Sequence, residues 1–370
     1  MTILKKSQTI LFASLLVAMI LPYSVGSLAD AAPNENANDK AKLNSMKVLD
    51  ISEFDGETPG VINENALNGL KIAVTKNPKV KGLLGYDYEF TDTAQRLTEK
   101  DGWQPILNYY TDDRKYTVTV VMDKGKVVSV DKYENVVWGH SNGYAIDEYN
   151  DNSYTVTGLS MVSDIPDYDH DAGSFTALLV NAQKAGSTDG NVCNSSSAPT
   201  TYWAQMGMQF DSSDVRIGYT DTQKSCIPSF FPISFSTGDS MKYRIYINDS
   251  TDVWTLWVDN ISDSGPPYAF TRTVSGSSNL DIDTGQTSVW YENPNTSSNG
   301  WDTGFAADPD VDYAAFQWTN GNWYYWGGES KSALNCDSGT TGSDLMSGTF
   351  VGSPHDVTFD VSEIEDKCEQ

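Results

Sequence analysis

Apolar positions follow three successive rhythms along this chain. Behind Lys5 and Lys6, an apolar run covers residues 10–21 and stops at Pro22. A bilayer takes about 20 apolar residues to cross, so the run is short for a membrane span. With Ala29-Asp30-Ala31 after it, the layout predicts an export signal over residues 1–31. An uncleaved anchor is the competing reading. Residues 32–60 are rich in Asn, Asp, Glu and Lys and predict a flexible leader. From Asn63 the spacing becomes helical: Ala66, Leu67, Leu70, Ile72 and Val74 form a broad apolar stripe that ends near Asn77-Pro78. Alternation over 116–121 and 127–130 then predicts two strands, with Asp123-Lys-Gly-Lys126 as their hairpin. Helix and small antiparallel sheet make an α+β unit over residues 61–138, followed by a linker over 139–152.

Beyond Asn152 the helical period is gone. Short runs at 175–180, 202–210, 242–248, 254–260, 287–292 and 322–326 recur between turns rich in Gly, Asp, Ser and Asn. Many short strands without helices predict a mainly β domain over 153–370, an antiparallel jelly-roll or concanavalin-like β-sandwich.

Charge narrows the partners. A formal net charge of −26 excludes nucleic acid, whose phosphates need a basic surface. It also keeps the chain soluble by self-repulsion. No segment after the signal is apolar for long enough to span a membrane, so the exported chain is expected outside the cell or at its surface. Cys193, Cys226, Cys336 and Cys368 all follow the signal, and an even count in an exported chain predicts disulfides. Of the three pairings, Cys193–Cys226 with Cys336–Cys368 closes the shorter loops. Neither their spacing nor the three histidines suit a zinc site. Asn194, Asn248, Asn260 and Asn295 each begin an N-glycosylation triplet.

Within the α+β unit, the order helix, Asn108-Tyr-Tyr-Thr-Asp-Asp-Arg-Lys-Tyr-Thr-Val-Thr-Val-Val-Met122, hairpin, Val127-Val-Ser-Val130 resembles a PepSY-type domain. Such domains often occupy the pro-regions of secreted peptidases; a small adaptor domain is the other reading. In the β region, strand parity separates the faces. Tyr202, Ala204, Met206, Met208 and Phe210 make a core face, and Trp203, Gln205, Gly207 and Gln209 the opposite one. Ser288, Trp290 and Glu292 likewise alternate with Val289 and Tyr291. Two strands thus put a tryptophan and a hydrogen-bonding group on the non-core face, which suits a cleft for an extended polymer.

The same region resembles the glutamic peptidases, the eqolisin family, whose fold is a jelly-roll-like sandwich. The resemblance runs from about Thr157 to Trp318. It is carried by Ile233-Ser-Phe-Ser-Thr-Gly-Asp-Ser-Met-Lys-Tyr-Arg-Ile-Tyr-Ile247, Trp254-Thr-Leu-Trp-Val-Asp-Asn-Ile-Ser-Asp263, Tyr268-Ala-Phe-Thr-Arg-Thr-Val-Ser-Gly276 and Thr287-Ser-Val-Trp-Tyr-Glu-Asn293. Ala204-Gln205-Met206-Gly207 stands where the family has Leu-Gln-x-Gly. The resemblance therefore implies Gln205 and Glu292 as a catalytic pair, with Trp203, Gln209 and Trp290 binding substrate and no cofactor. Glu292 would activate water as general base and return the proton to the leaving amine. Gln205 would donate to the developing oxyanion, a contact typically worth ~3 kcal/mol. The chain departs from the family where an acid is replaced by Gln209, where Ala177-Leu-Leu-Val180 lacks a tryptophan, near Ile217-Gly-Tyr-Thr220, and at Ser288. Read from the residues alone, Gln205 is a cross-strand hydrogen-bonding group and Glu292 a solvated strand end before Asn293-Pro294.

Gly139-His-Ser-Asn-Gly143 has the spacing of a nucleophile elbow around Ser141, but no helix pattern follows it, so it reads as an interdomain turn. Acidic clusters at 167–171, 281–283 and 308–312 carry oxygen ligands of the kind calcium takes. None has the glycine and glutamate positions of an EF-hand, and solvated acidic loops are the other reading. The expected function is a secreted acid endopeptidase acting on polypeptide. The alternative is a non-catalytic extracellular sandwich that binds a carbohydrate or cell-surface polymer.

Overall fold

In the computed structural model the described residues are 48–49, 59–98, 100, 102–135, 142–149, 156–168, 175–185, 201–211, 215–223, 227–248, 251–274, 282–292, 305–319, 321–325, 346–349 and 355–361. Strand β1 (Val48–Leu49) precedes helices α1 (Glu64–Lys76) and α2 (Pro78–Leu84). Asn63 caps α1, its Oδ1 accepting from Ala66 N at 2.9 Å. Asn77 ends that helix and caps the next, accepting from Lys79 N and Val80 N at 3.0 and 3.3 Å. Pro78 follows as the first residue of α2, where a missing N–H costs nothing.

The helices lie on a meander of β2 (Tyr88–Thr98), β3 (Gly102–Thr111), β4 (Tyr116–Asp123) and β5 (Lys126–Glu134). Lys124 and Gly125 take positive φ, 47° and 77°, as a two-residue hairpin with the right-handed strand twist requires. Alternate residues of this meander serve two cores. Leu107, Tyr109, Val118, Val120 and Met122 pack with Val74, Val80 and Leu84 of the helices. Ala94, Ile106 and Val121 join the main core instead.

The remaining strands are β6 (Asn142–Tyr149), β7 (Val156–Asp164), β8 (Phe175–Ala185), β9 (Thr201–Asp211), β10 (Val215–Asp221), β11 (Ser229–Phe231) and β12 (Ser240–Asn248). They continue with β13 (Val253–Asn260), β14 (Tyr268–Thr273), β15 (Thr284–Glu292), β16 (Asp310–Trp318), β17 (Trp323–Tyr325), β18 (Met346–Thr349) and β19 (His355–Phe359). All named pairings are antiparallel. A 13-stranded sheet follows the order β1-β17-β16-β7-β12-β13-β14-β2-β3-β4-β5, with β19 also pairing β16 and β18 pairing β19. A 6-stranded sheet has the order β11-β10-β9-β8-β15-β6. Their facing sides interdigitate through Leu159, Met161, Tyr243, Ile245, Trp254 and Leu256 from one sheet and Leu178, Val180, Met206, Met208, Ile217 and Val289 from the other. The fold is therefore a mainly β, antiparallel sandwich, as the strand periodicity predicts.

Three local expectations are corrected. Residues 48–49 of the expected leader pair with β17. Residues 142–149 of the expected linker form β6, where eight consecutive pairings with β15 override a polar local sequence. Asn260 is buried, and its Nδ2 donates to Ser234 O and Asp239 Oδ2 at 3.2 and 2.9 Å. Its side chain is thus committed to a turn rather than available to a glycan. The export signal, Ser141, the four cysteines, Asn194 and Asn295 lie outside the described residues. Among the described residues no helix is long and apolar enough to cross a membrane.

Candidate functional site: the outer face of the 6-stranded sheet

Strand parity places the expected faces of β9 correctly. Tyr202, Ala204, Met206, Met208 and Phe210 are fully buried in the inter-sheet core. Trp203, Gln205, Gly207 and Gln209 therefore belong to the outer face. Trp203 is half-buried, while Gln205 and Gln209 are 5% and 4% exposed.

The registers of β10, β9, β8 and β15 arrange this face as rows across the strands. One row runs Thr220, Gln205, Asn181, Gln286. The next is Gly218, Gly207, Leu179, Ser288, and the next Arg216, Gln209, Ala177, Trp290. Asn181 Nδ2 donates to Ser288 Oγ at 2.9 Å. Thr220 Oγ1, across from Gln205, is buried and has no hydrogen-bond partner among the described residues.

Two glycines shape the floor between the amide rows. A Cβ on Gly218 would sit 2.3 Å from Gln209 Nε2 and 2.6 Å from its Cδ, so the Gln209 amide lies over the bare glycine. A Cβ on Gly207 would sit 2.1 Å from Leu178 O, so β9 approaches β8 there as only glycine allows. Arg216 is the basic group of these rows; its guanidinium donates to Glu134 O and lies 5.4 Å from the Phe230 ring.

The structure does not bring Gln205 and Glu292 together. Gln205 is level with Gln286, whereas Glu292 is level with Phe175 and Asp211. The six positions from Gln286 to Glu292 amount to about 20 Å at roughly 3.3 Å per residue, with β8 lying between β9 and β15. Both positions are on one sheet and share strand parity, as the sequence implies; the pairing register separates them. Trp203 and Trp290 are likewise separated, Trp203 level with Thr284 and Trp290 with Gln209. They occur at opposite ends of the amide rows rather than side by side. Asn181 and Gln286 are the polar members the sequence reading omitted. Parity over Ala177-Leu-Leu-Val-Asn-Ala-Gln183 points to Asn181; the place of Gln286 beside it follows only from register.

Elsewhere, among the described residues, no group of His, Cys, Asp or Glu is placed to hold a metal ion. The acids at 308–312 serve the local fold: Asp308 Oδ1 accepts from Val361 N at 3.1 Å, and Asp310 from Thr358 Oγ1. A second polar centre lies on the outer side of the 13-stranded sheet. There Arg244 is fully buried, with its guanidinium 5.0 Å from the Trp323 ring and 5.8 Å from that of Trp257. Burial holds its pKa down to about 8.

Neither family models nor curated protein sequences give a match to this chain. Among solved structures, a scytalido-glutamic peptidase with a transition state analog inhibitor shares 14% identity at a TM-score of 0.38, covering 59% of this chain and 98% of its own. The lectin UEA-II complexed with galactose shares 13% identity at a TM-score of 0.22, covering 65% of this chain and 91% of its own. A lectin from Bauhinia forficata in complex with GalNAc shares 9% identity at a TM-score of 0.20, covering 57% and 94%. The architecture given above rests on the strand pairing of this chain itself.

Proposed function

We propose that this chain is an extracellular β-sandwich that binds an extended, hydroxyl-rich polymer across the outer face of its 6-stranded sheet. The row Thr220, Gln205, Asn181, Gln286 carries this reading, because it sets neutral amides and a hydroxyl side by side in one line; at 2–5% exposure they would meet a polymer as the floor of a recess rather than as an open surface. Each amide both donates and accepts, which matches neighbouring sugar hydroxyls that do the same. The half-buried Trp203 at one end supplies a stacking surface. A single neutral hydrogen bond contributes about 0.5–1.5 kcal/mol, so affinity would come from several amides together.

A second reading, acid hydrolysis of polypeptide by Gln205 and Glu292, is favoured by the ordered match of four strand segments to the glutamic peptidases. The register ranks it second, since one water cannot bridge about 20 Å. A paired experiment decides between them. Purified protein, Trp203→Ala and Gln205→Ala are assayed on a glycan array, and wild type and Glu292→Gln are incubated with denatured casein between pH 2 and 5. Glycan binding lost in both substitutions is the expected result. Proteolysis that disappears in Glu292→Gln, with no glycan bound, would overturn it and select the peptidase.

A further inference from the structure

The α+β unit is joined to the sandwich in a way that a detachable pro-segment is not. Its strand β2 continues the 13-stranded sheet, pairing Arg96 with Tyr268, Gln95 with Ala269 and Ala94 with Phe270 of β14. Leu97 N adds a bond to Pro267 O at 2.9 Å. Ala94, Ile106 and Val121 enter the same core as Tyr219, Phe231 and Phe270.

At the centre of the junction lies a buried carboxylate shared by both sides. Asp92, 5% exposed, accepts from side chains on both sides of the junction. Thr91 Oγ1 at 2.9 Å and Asn108 Nδ2 at 2.9 Å belong to the α+β unit. Tyr219 OH at 2.5 Å and Ser229 Oγ at 2.7 Å belong to the 6-stranded sheet. Asn108 Nδ2 also reaches Tyr219 OH at 2.9 Å, and Thr119 Oγ1 holds Asn108 Oδ1 at 2.8 Å. Burial and the neighbouring Asp92 both push the Tyr219 hydroxyl well above its usual pKa, so it stays a donor at every physiological pH. Around this node, the Tyr110 hydroxyl donates to Ile227 O at 2.6 Å, Arg216 Nη1 donates to Glu134 O, and the Tyr133 and Phe230 rings stand 5.0 Å apart.

Separation would take the Tyr219 and Ser229 hydroxyls away from a buried carboxylate that both of them serve. It would also open the β14 edge to solvent, the kind of edge that invites unwanted pairing. A segment meant to leave would place such groups where water could replace it. We propose that residues 60–134 are a permanent subunit of the sandwich, so that a cut between residues 136 and 141 yields two pieces held together without a covalent link. The occupant of the β14 edge and of the Tyr219–Ser229 surface is the chain's own β2–β5 meander. This inference is independent of what the amide face binds.

The test uses the full exported chain with a specific protease site placed between residues 136 and 141. After complete cleavage, the two pieces are passed over a sizing column at micromolar and nanomolar concentration. Co-elution of both pieces at both concentrations is expected, with separation only in denaturant. In the Asp92→Ala protein, the N-terminal piece should leave at least about tenfold faster than in wild type, since a buried shared acceptor is gone. Ser229→Ala is the milder variant should Asp92→Ala fail to fold, and a several-fold faster release is expected there. Release of the wild-type N-terminal piece from a sandwich that keeps its near-UV circular dichroism overturns the proposal. So does a release rate that neither substitution changes.

Discussion

Removing the positive half of the ion pair between the two sheets should unfold this protein under conditions that leave the wild type intact. Asp221 ends β10 in the 6-stranded sheet and its side chain is wholly buried. Arg272 reaches it from β14 in the other sheet, with Nε 2.7 Å from Oδ2 and the second guanidinium nitrogen 3.4 Å from Oδ1. Tyr202 OH at 3.1 Å and Gln223 N at 3.0 Å complete the shell. Burial alone would weaken the charge of Arg272, but Asp221 more than offsets it and raises the pKa above the usual guanidinium value. Arg272→Met keeps most of the aliphatic volume while leaving Asp221 charged and without its cation. Breaking a buried pair from one side costs about 3–5 kcal/mol, far more than the median exposed ion pair at about 0–1 kcal/mol. Urea denaturation followed by tryptophan fluorescence reads this directly, with the loss appearing as a lower midpoint at similar slope. Replacing both partners, Arg272→Met with Asp221→Leu, should recover much of the loss, because two matched apolar groups leave no buried charge. A loss below about 1 kcal/mol for Arg272→Met would refute the reasoning and reduce the pair to a surface-type contact.

Two further outcomes concern acidic side chains on the 13-stranded sheet and the polar face of the 6-stranded one. Burial pushes Asp259 up to about 6, against Lys242 and Arg244, and burial with Asp164, Asp356 and Asp310 does the same to Asp312. Carboxyls with raised folded pKa stabilise below their ordinary value of about 3.9 and lose that contribution as pH rises through about 6, so Tm should climb as pH falls from 7 to 5. Arg244, held down to about 8, changes its contribution only above that pH and leaves this window untouched. Asp259→Asn with Asp312→Asn should flatten the slope, and an equal slope in the double variant would sink the assignment. On the polar face, the Cβ of Gly218→Ala would fall 2.3 Å from Gln209 Nε2, so it should displace that amide and weaken polymer binding several-fold. The cost in stability should stay near 1 kcal/mol, because the side-chain end can swing away. Unchanged binding on a polysaccharide-coated sensor would count against the role of Gln209.

Local chemistry was readable where one residue type has one physical solution. Asn63 and Asn77-Pro78 bound the first helix, and Asp123-Lys-Gly-Lys126 makes its hairpin, because caps and positive-φ turns accept few alternatives. The alternation of Tyr202–Phe210 assigned its core face for the same reason. Register is different in kind. Whether Glu292 or Gln286 stands level with Gln205 depends on backbone pairing with β8, and backbone amides are the same at every residue. Parity survives a slip of two residues unchanged, so sequence could place both acidic and amide groups on one face without placing them near each other. Strand β6 escaped notice because its sequence is polar, and pairing with β15 rather than hydrophobic pattern defines it. Asn260 fits the glycan-acceptor triplet, yet its side chain closes the turn after β13.

The sheet that joins β2 to β14 also sets a timetable for folding. Ala94 meets Phe270 across nearly half of the chain's length, and Val48 meets Tyr324 across most of it. A chain emerging from its N-terminus can form α1, α2 and the β2–β5 meander early, since those contacts are local. The inner side of that meander, with Ala94, Ile106 and Val121, must then wait for strands that emerge more than a hundred residues later. Long-range closure of this kind is slow and leaves apolar surface and a strand edge uncovered meanwhile.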